Sequence, residues 1–384
     1  MLNAVSGESA REAVDLLKSI LRINTTNPPG KEYQLAIWLA AWLEKKGVAS
    51  RVVDLGNGRA NLIARLSGSS GQPALLYTGH LDTVPPGDLA WDYPPFAAEQ
   101  AGDLIYGRGA SDMKGGLAAM IFALSWLKQN DITPGQDMVL LATAGEEVDC
   151  CGAQAFCDGG GMNGIGAAVV GEPSNGDVIV AHKGAVWLEI VTKGRTAHGS
   201  MPHLGINAVV HMNAIVSSLY QRSFPVQPND WLGLPTFSVN KIQGGVATNV
   251  ISDNCTCSID FRLIPGQTAN DVTAMLQDII QELTPAYPEL AAELKIVNYR
   301  QPVACPEGHP IIDKALACAR RISGTPVNLR GVNFYTDAST LLQGLNLPVI
   351  FYGPGDDAQA HQPNEYISVT KYLEAINFYT NFGR

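Results

Sequence analysis

Apolar positions in this chain follow two textures. In the first, short unbroken apolar runs stop abruptly at a polar, chemically capable residue. Residues 74–79 end at His80, 138–143 run into Gly145-Glu146-Glu147, 167–171 end at Glu172, and 347–352 lead through a Gly-Pro-Gly loop to His361. Runs of this length predict strands buried on both faces. Between them, 116–129 and 310–323 carry helical periodicity, so the alternation predicts an α/β domain with a mixed, largely parallel sheet flanked by helices. In such sheets the ligand crevice lies beyond the carboxyl ends of strands, which directs all four polar ends into one crevice.

The segment 183–299 has the second texture. Residues 186–192 and 255–263 alternate apolar with polar, while 207–219 and 270–283 read as amphipathic helices. This is a two-layer α+β pattern with a half-exposed sheet. It is read as a domain inserted into the first, leaving a discontinuous domain of 1–182 and 300–384. Near the N-terminus, Ala10, Ala13, Val14, Leu17 and Leu21 form one helical stripe, with Ser9 and Glu12 as its expected capping box.

Composition narrows the class. At 384 residues the chain exceeds what one core usually fills, which favours two domains and a cleft. Only 16% of residues are charged and the formal charge is −10. With no Lys/Arg cluster, neither nucleic acid nor an anionic membrane surface is an expected partner. The most apolar window, 115–127, is shorter than the roughly 20 residues that span a bilayer, and no basic-then-apolar leader opens the chain. The seven cysteines, including Cys150-Cys151 and Cys255-x-Cys257, have neither zinc-ribbon nor disulfide-framework spacing. Reduced thiols in a cytoplasmic protein are expected, with Cys150 and Cys151 buried.

The polar ends carry the chemistry. In His80-Leu-Asp82 an extended chain puts both side chains on one side, so Asp82 can hold one imidazole nitrogen while the other faces the crevice. Taken alone, the tripeptide is also compatible with an ordinary histidine. Asp112, in Gly107-Arg-Gly-Ala-Ser-Asp112-Met-Lys-Gly-Gly116, reads as a helix N-cap or as a cation ligand. The glycine spacing fits neither a dinucleotide fingerprint nor a P-loop. Glu146-Glu147 is an acidic pair that on an extended chain points two ways. Glu172 follows a nearly wholly apolar strand and needs a partner. Together His80, Asp112, Glu147, Glu172 and His361 supply two imidazoles and three carboxylates. With a bridging hydroxide they balance two dications, Zn2+ first and Co2+ or Mn2+ as alternatives. Glu146 is then the spare carboxylate and the natural general base.

These segments, with Val170-Gly-Glu172-Pro173, resemble the co-catalytic di-zinc family of acetylornithine deacetylase, succinyl-diaminopimelate desuccinylase, aminoacylase and the glutamate-releasing carboxypeptidases. The resemblance runs from about Asn27 to Pro363. It implies that His80 and Glu172 bind one metal, Glu147 and His361 the other, and Asp112 both, with Asp82 orienting His80 and Glu146 as base. Thr196-Ala-His198-Gly-Ser-Met-Pro202 resembles the family segment whose histidine stabilises the oxyanion, from the partner subunit in dimeric members. Gly244-Gly-Val-Ala-Thr-Asn249 and Asp260-Phe-Arg262 resemble its substrate-binding segments, and a guanidinium suits a carboxylate. The inserted region would be a lid and homodimerisation domain. The expected activity is removal of the acyl group from an N-acyl amino acid by a metal-bridging hydroxide. A dipeptidase, carboxypeptidase or aminopeptidase acting on short peptides, or an inactive metal-binding or regulatory relative, are the alternatives. Gly145, where many relatives have an acidic residue, and Asp149-Cys150-Cys151 depart from the family pattern.

Overall fold

The computed structural model describes residue 3 and residues 5–384. The chain divides into two compact units. One comprises the chain to Ala181 with Ala304–Gly331 and Thr336–Arg384, the other His182–Val303 with Val332–Tyr335.

The larger unit is built on a mixed sheet. Its strands run in the order Ser50–Gly56, Arg59–Leu66, Met138–Thr143, Ala74–His80, Ile165–Val170, Val349–Phe351 and Val178–His182. Met138–Thr143, Ala74–His80, Ile165–Val170 and Val349–Phe351 are parallel, so their carboxyl ends share one edge. Every residue of Ala74–His80 and Met138–Thr143 is buried, which is why their sequences read as unbroken apolar runs. Their register pairs His80 with Thr143 and sets the two chemically loaded strand ends side by side.

Helix Lys114–Gln129 is buried almost all round, in keeping with its apolar sequence on every face. It packs with Glu8–Arg22 and Val369–Phe382 through Leu17, Leu117, Ile121 and Phe378. The N-terminal stripe is Glu8–Arg22, with Ala13, Leu17 and Leu21 buried. Its expected capping box does not form. The chain bends at Gly7, so Ser9 already lies in the first turn, its Oγ donates to Ser6 O, and Glu12 pairs with Lys46.

The smaller unit holds an antiparallel sheet ordered Thr236–Gly244, Asn254–Leu263, Gly184–Lys193, Ala291–Arg300. Alternate residues Val186, Leu188, Ile190, Cys257, Ile259 and Phe261 are buried with Met212, Ile215 and Leu276 from helices Ala208–Tyr220 and Ala269–Leu283. Asn207 caps the first of these helices, and Thr268 with Asp271 closes a capping box on the second. Among the described residues no helix is long and apolar enough to cross a membrane. The seven cysteines are thiols, none in a disulfide. Cys150 is buried, whereas Cys151 is only partly so, a difference from the expected burial of both. Burial still pushes the Cys151 thiol up to about 12.

Candidate metal centre

His80 closes its strand with a wholly buried imidazole. Its Nε2 lies 3.1 Å from Asp112 Oδ1 and 4.0 Å from both Glu146 Oε2 and Glu172 Oε1. Asp112 enters from the turn preceding helix Lys114–Gln129, and its other oxygen, Oδ2, lies 3.4 Å from His361 Nε2. His361 Nε2 is also 3.2 Å from Glu147 Oε2. Two triads result, His80-Asp112-Glu172 and Asp112-Glu147-His361, with the ligand atoms of each within 4.8 Å of one another. Asp112 belongs to both and turns one oxygen to each imidazole. The second triad is the more open, since the His361 side chain is 52% exposed and that of His80 only 1%.

The electrostatics ask for cations. Burial raises the Glu146 and Glu172 carboxyls well above the ordinary carboxylate range, and neighbouring carboxylates add to it. Burial and the Asp112 charge likewise raise Glu147. Hydrogen bonds to Asp112 and Glu147 lift His361 to about 10. At His80 burial acts downwards, but the Asp112 hydrogen bond and the charges of Glu172, Glu146 and Asp112 outweigh it and raise the imidazole well above its usual value. Burial would raise Asp112, yet hydrogen bonds to His361 and His80 pull it well below its usual value. Glu147 Oε1 is buried without a hydrogen-bond partner. A mixed imidazole–carboxylate set with this much crowded negative charge fits two divalent metal ions.

Two local readings need correction. His80 Nδ1 bonds the main-chain carbonyl of Asp82 at 3.0 Å, while the nearest carboxylate oxygen is 3.7 Å away. The Asp82 carboxylate instead accepts Asn27 Nδ2 and the N–H groups of Gly145, Glu146 and Glu147. Asp82 thus meets the histidine through its carbonyl and the glutamate turn through its carboxylate. Glu146 and Glu147 are not extended. Gly145 has φ 79 and its carbonyl accepts the N–H groups of Val148, Asp149 and Cys150. This tight turn sends both carboxylates towards the same centre.

His198, Asn249 and Arg262 lie in the smaller unit. His198 is bridged to Val250, and Gly199 N donates to Asn249 O at 2.7 Å, which brings His198 and Asn249 together. Arg262 donates to Asp260 at 2.9 Å and lies over the Tyr335 ring. Sequence reasoning missed Asp337, Glu365 and Arg108. Asp337 is buried, accepts Thr143 Oγ1 at 2.5 Å, and is raised to about 6 by burial. It precedes helix Ala338–Leu341, so its sequence signal was that of an ordinary capping aspartate. Glu365 is enclosed completely, and its only signal was an acid preceding the short strand Tyr366–Ser368.

A shared carboxylate between two imidazole–carboxylate triads, at the carboxyl edge of a parallel sheet, defines a centre for two metal ions of the hydrolytic kind. Residues 76–383 match the model of peptidase family M20/M25/M40, and the chain belongs to that family of metallohydrolases. It is 29% identical to a probable succinyl-diaminopimelate desuccinylase of Staphylococcus epidermidis, covering 97% of this chain and 96% of that one. It is 32% identical to the acetylornithine deacetylase of Aliivibrio fischeri, covering 86% and 85%. The YXEP protein of Bacillus subtilis, described as a dinuclear metal binding peptidase of the M20 family, superposes with a TM-score of 0.77 at 16% identity, over 98% of this chain and 97% of that one.

Proposed function

We propose that this protein removes the acyl group from N-acyl amino acids, using two divalent metal ions, zinc first with cobalt or manganese able to substitute. His80 and Glu172 would hold one ion, Glu147 and His361 the other, and Asp112 both. The observation that carries this reading is the division of the Asp112 carboxylate between the two imidazoles, with Glu146 beside them as an uncommitted carboxylate. Bound cations would polarise the scissile carbonyl and acidify the attacking water. Glu146 takes the proton of that water and returns it to the leaving amine. Its burial strengthens the carboxylate as a base.

His198 serves as oxyanion donor. Ser200 N–H donates to its Nδ1, so the neutral ring carries its hydrogen on Nε2. Asn249 and Arg262 bind the substrate, with the Arg262 guanidinium on its carboxylate. Residues 183–299 act as lid and homodimer contact. The exposed apolar side chains of Val209 and Val210, adjacent on helix Ala208–Tyr220, support the dimer.

A second reading, hydrolysis of short peptides, is favoured by the peptidase likeness of the solved fold. The decisive experiment assays metal-reconstituted protein on N-acetyl and N-succinyl amino acids against dipeptides. Faster turnover of dipeptides would reverse the order, and no metal-dependent turnover of any of them would leave a non-catalytic relative. In the same assay Glu146→Gln should lose about 10²- to 10⁴-fold in kcat with bound metal unchanged. Near-normal turnover would remove Glu146 from its role.

A further inference from the structure

The Asp112 turn is wrapped around a carboxylate that no metal triad includes. Glu365 accepts Arg108 Nη1 at 2.6 Å, Gly109 N at 3.1 Å, Ser111 N at 2.8 Å and Asp112 N at 2.9 Å. The side chains of Glu365 and Arg108 are 0% and 2% exposed. Glu365 is itself fixed by the chain around it. Strand Tyr366–Ser368 pairs antiparallel with Leu104–Tyr106, and Gly107 N donates to Glu365 O at 2.9 Å. The carboxylate therefore sits where residues 107–112 must turn, and it satisfies three main-chain donors that would otherwise be buried without partners.

Arg108 carries the link further. Its Nη2 donates to His361 O at 3.3 Å and lies 3.5 Å from Pro86 O, while the Trp91 ring lies 5.1 Å from the guanidinium carbon. One guanidinium thus holds, through separate nitrogens, the carboxylate that shapes the Asp112 turn and the main chain of His361. His361 needs such a tether, because it has φ 64 and a half-exposed side chain. A planar fork with several fixed donors can do this, whereas a single ammonium cannot.

We propose that Arg108 and Glu365 are positioning residues that preorganise the metal centre: Glu365 presents Asp112 to both metal ions, and Arg108 couples that turn to His361. The inference rests on the two-metal reading above. Hydrogen-bond partners behind metal ligands are typically worth 10- to 100-fold in metal affinity.

The test titrates cobalt(II) into metal-free protein, read by visible absorption and elemental stoichiometry, with circular dichroism to confirm folding. Glu365→Gln should weaken both sites, since Asp112 serves both. Arg108→Lys should weaken chiefly the site holding His361 and leave the buried site near wild type. The double variant Arg108→Met/Glu365→Gln buries no unpaired charge and keeps a side-chain oxygen for the loop N–H groups, so its fold should survive. It should bind cobalt at least about tenfold more weakly. Wild-type affinity at both sites in folded Arg108→Lys and in the double variant, even with a lowered melting temperature, overturns the proposal and leaves the pair a role in stability alone. Failure of the wild-type protein to take up two ions would instead overturn the two-metal reading beneath it.

Discussion

At the scale of single residues, the centre is organised by how charge is shared. Asp112 stays ionised despite its burial because two imidazoles flank it, while Glu146 and Glu172 are pushed towards protonation. The raised carboxyls, and His361 lifted to about 10, store protons in the centre when cations are absent. His361, at about 10, holds its proton at pH 7, and an arriving dication displaces it. Metal uptake near pH 7 should therefore release protons, measured by calorimetry in buffers of different ionisation enthalpy. Heats that do not depend on the buffer would show that the cluster is already deprotonated. The five candidate ligands were legible in the sequence because Asp112 precedes a helix and the others follow apolar runs, His361 across a Gly-Pro-Gly loop. Their partners were not. Arg108 and Glu365 are 257 positions apart, and nothing local to either announces the other.

At the scale of elements, close backbone approach decides which strand ends meet. Helix Lys114–Gln129 begins against the end of the strand that leads to Glu172, and a Cβ on Gly116 would lie 1.9 Å from Gly171 O. Gly116→Ala must push the helix off that strand end. It should cost about 1–3 kcal/mol by overpacking and lower the melting temperature. Unchanged thermal unfolding would show that the helix start can shift freely. Gly145 repeats the theme. A Cβ there would lie 2.0 Å from Arg59 Nη2, and Arg59 is tied by Nη1 to Asp149 at 2.9 Å. The glycine and Asp149, both departures from the family pattern in sequence, are explained by one guanidinium that fills the space under the glutamate turn. The turn itself was misread as extended because paired acids carry no signature of the positive φ that Gly145 supplies.

Across the whole molecule, a buried ionisable group outside the centre adds its own response to pH. His182 is fully buried, its Nδ1–H donates to Lys183 O at 2.9 Å, and burial pushes its imidazole down to about 4 from 6.5. A depressed pKa means that the unfolded chain takes the proton first. The contribution to stability is whole above about pH 6.5 and is lost as pH falls towards 4, amounting to about 3 kcal/mol. His182→Leu should flatten the fall of unfolding free energy across that window in denaturant titrations. An equal slope in both proteins would assign the acid sensitivity elsewhere.

The sequence by itself determined the two textures of the chain, the buried parallel strands and the chemical character of their ends. Periodicity and burial are local consequences of side-chain type, so they can be read along the chain. It also offered a set of two imidazoles and three carboxylates whose charge two dications and a hydroxide would balance, with one glutamate to spare. Only the tertiary structure decided that Asp112 divides its two oxygens between the two histidines, that the Asp82 carboxylate serves the glutamate turn while its carbonyl serves His80, and that Glu365 lies at the centre of the Asp112 loop. Those are hydrogen bonds between segments far apart in the chain. Their partners are fixed by which strands pair and which helices close on them, and by no feature of either segment alone.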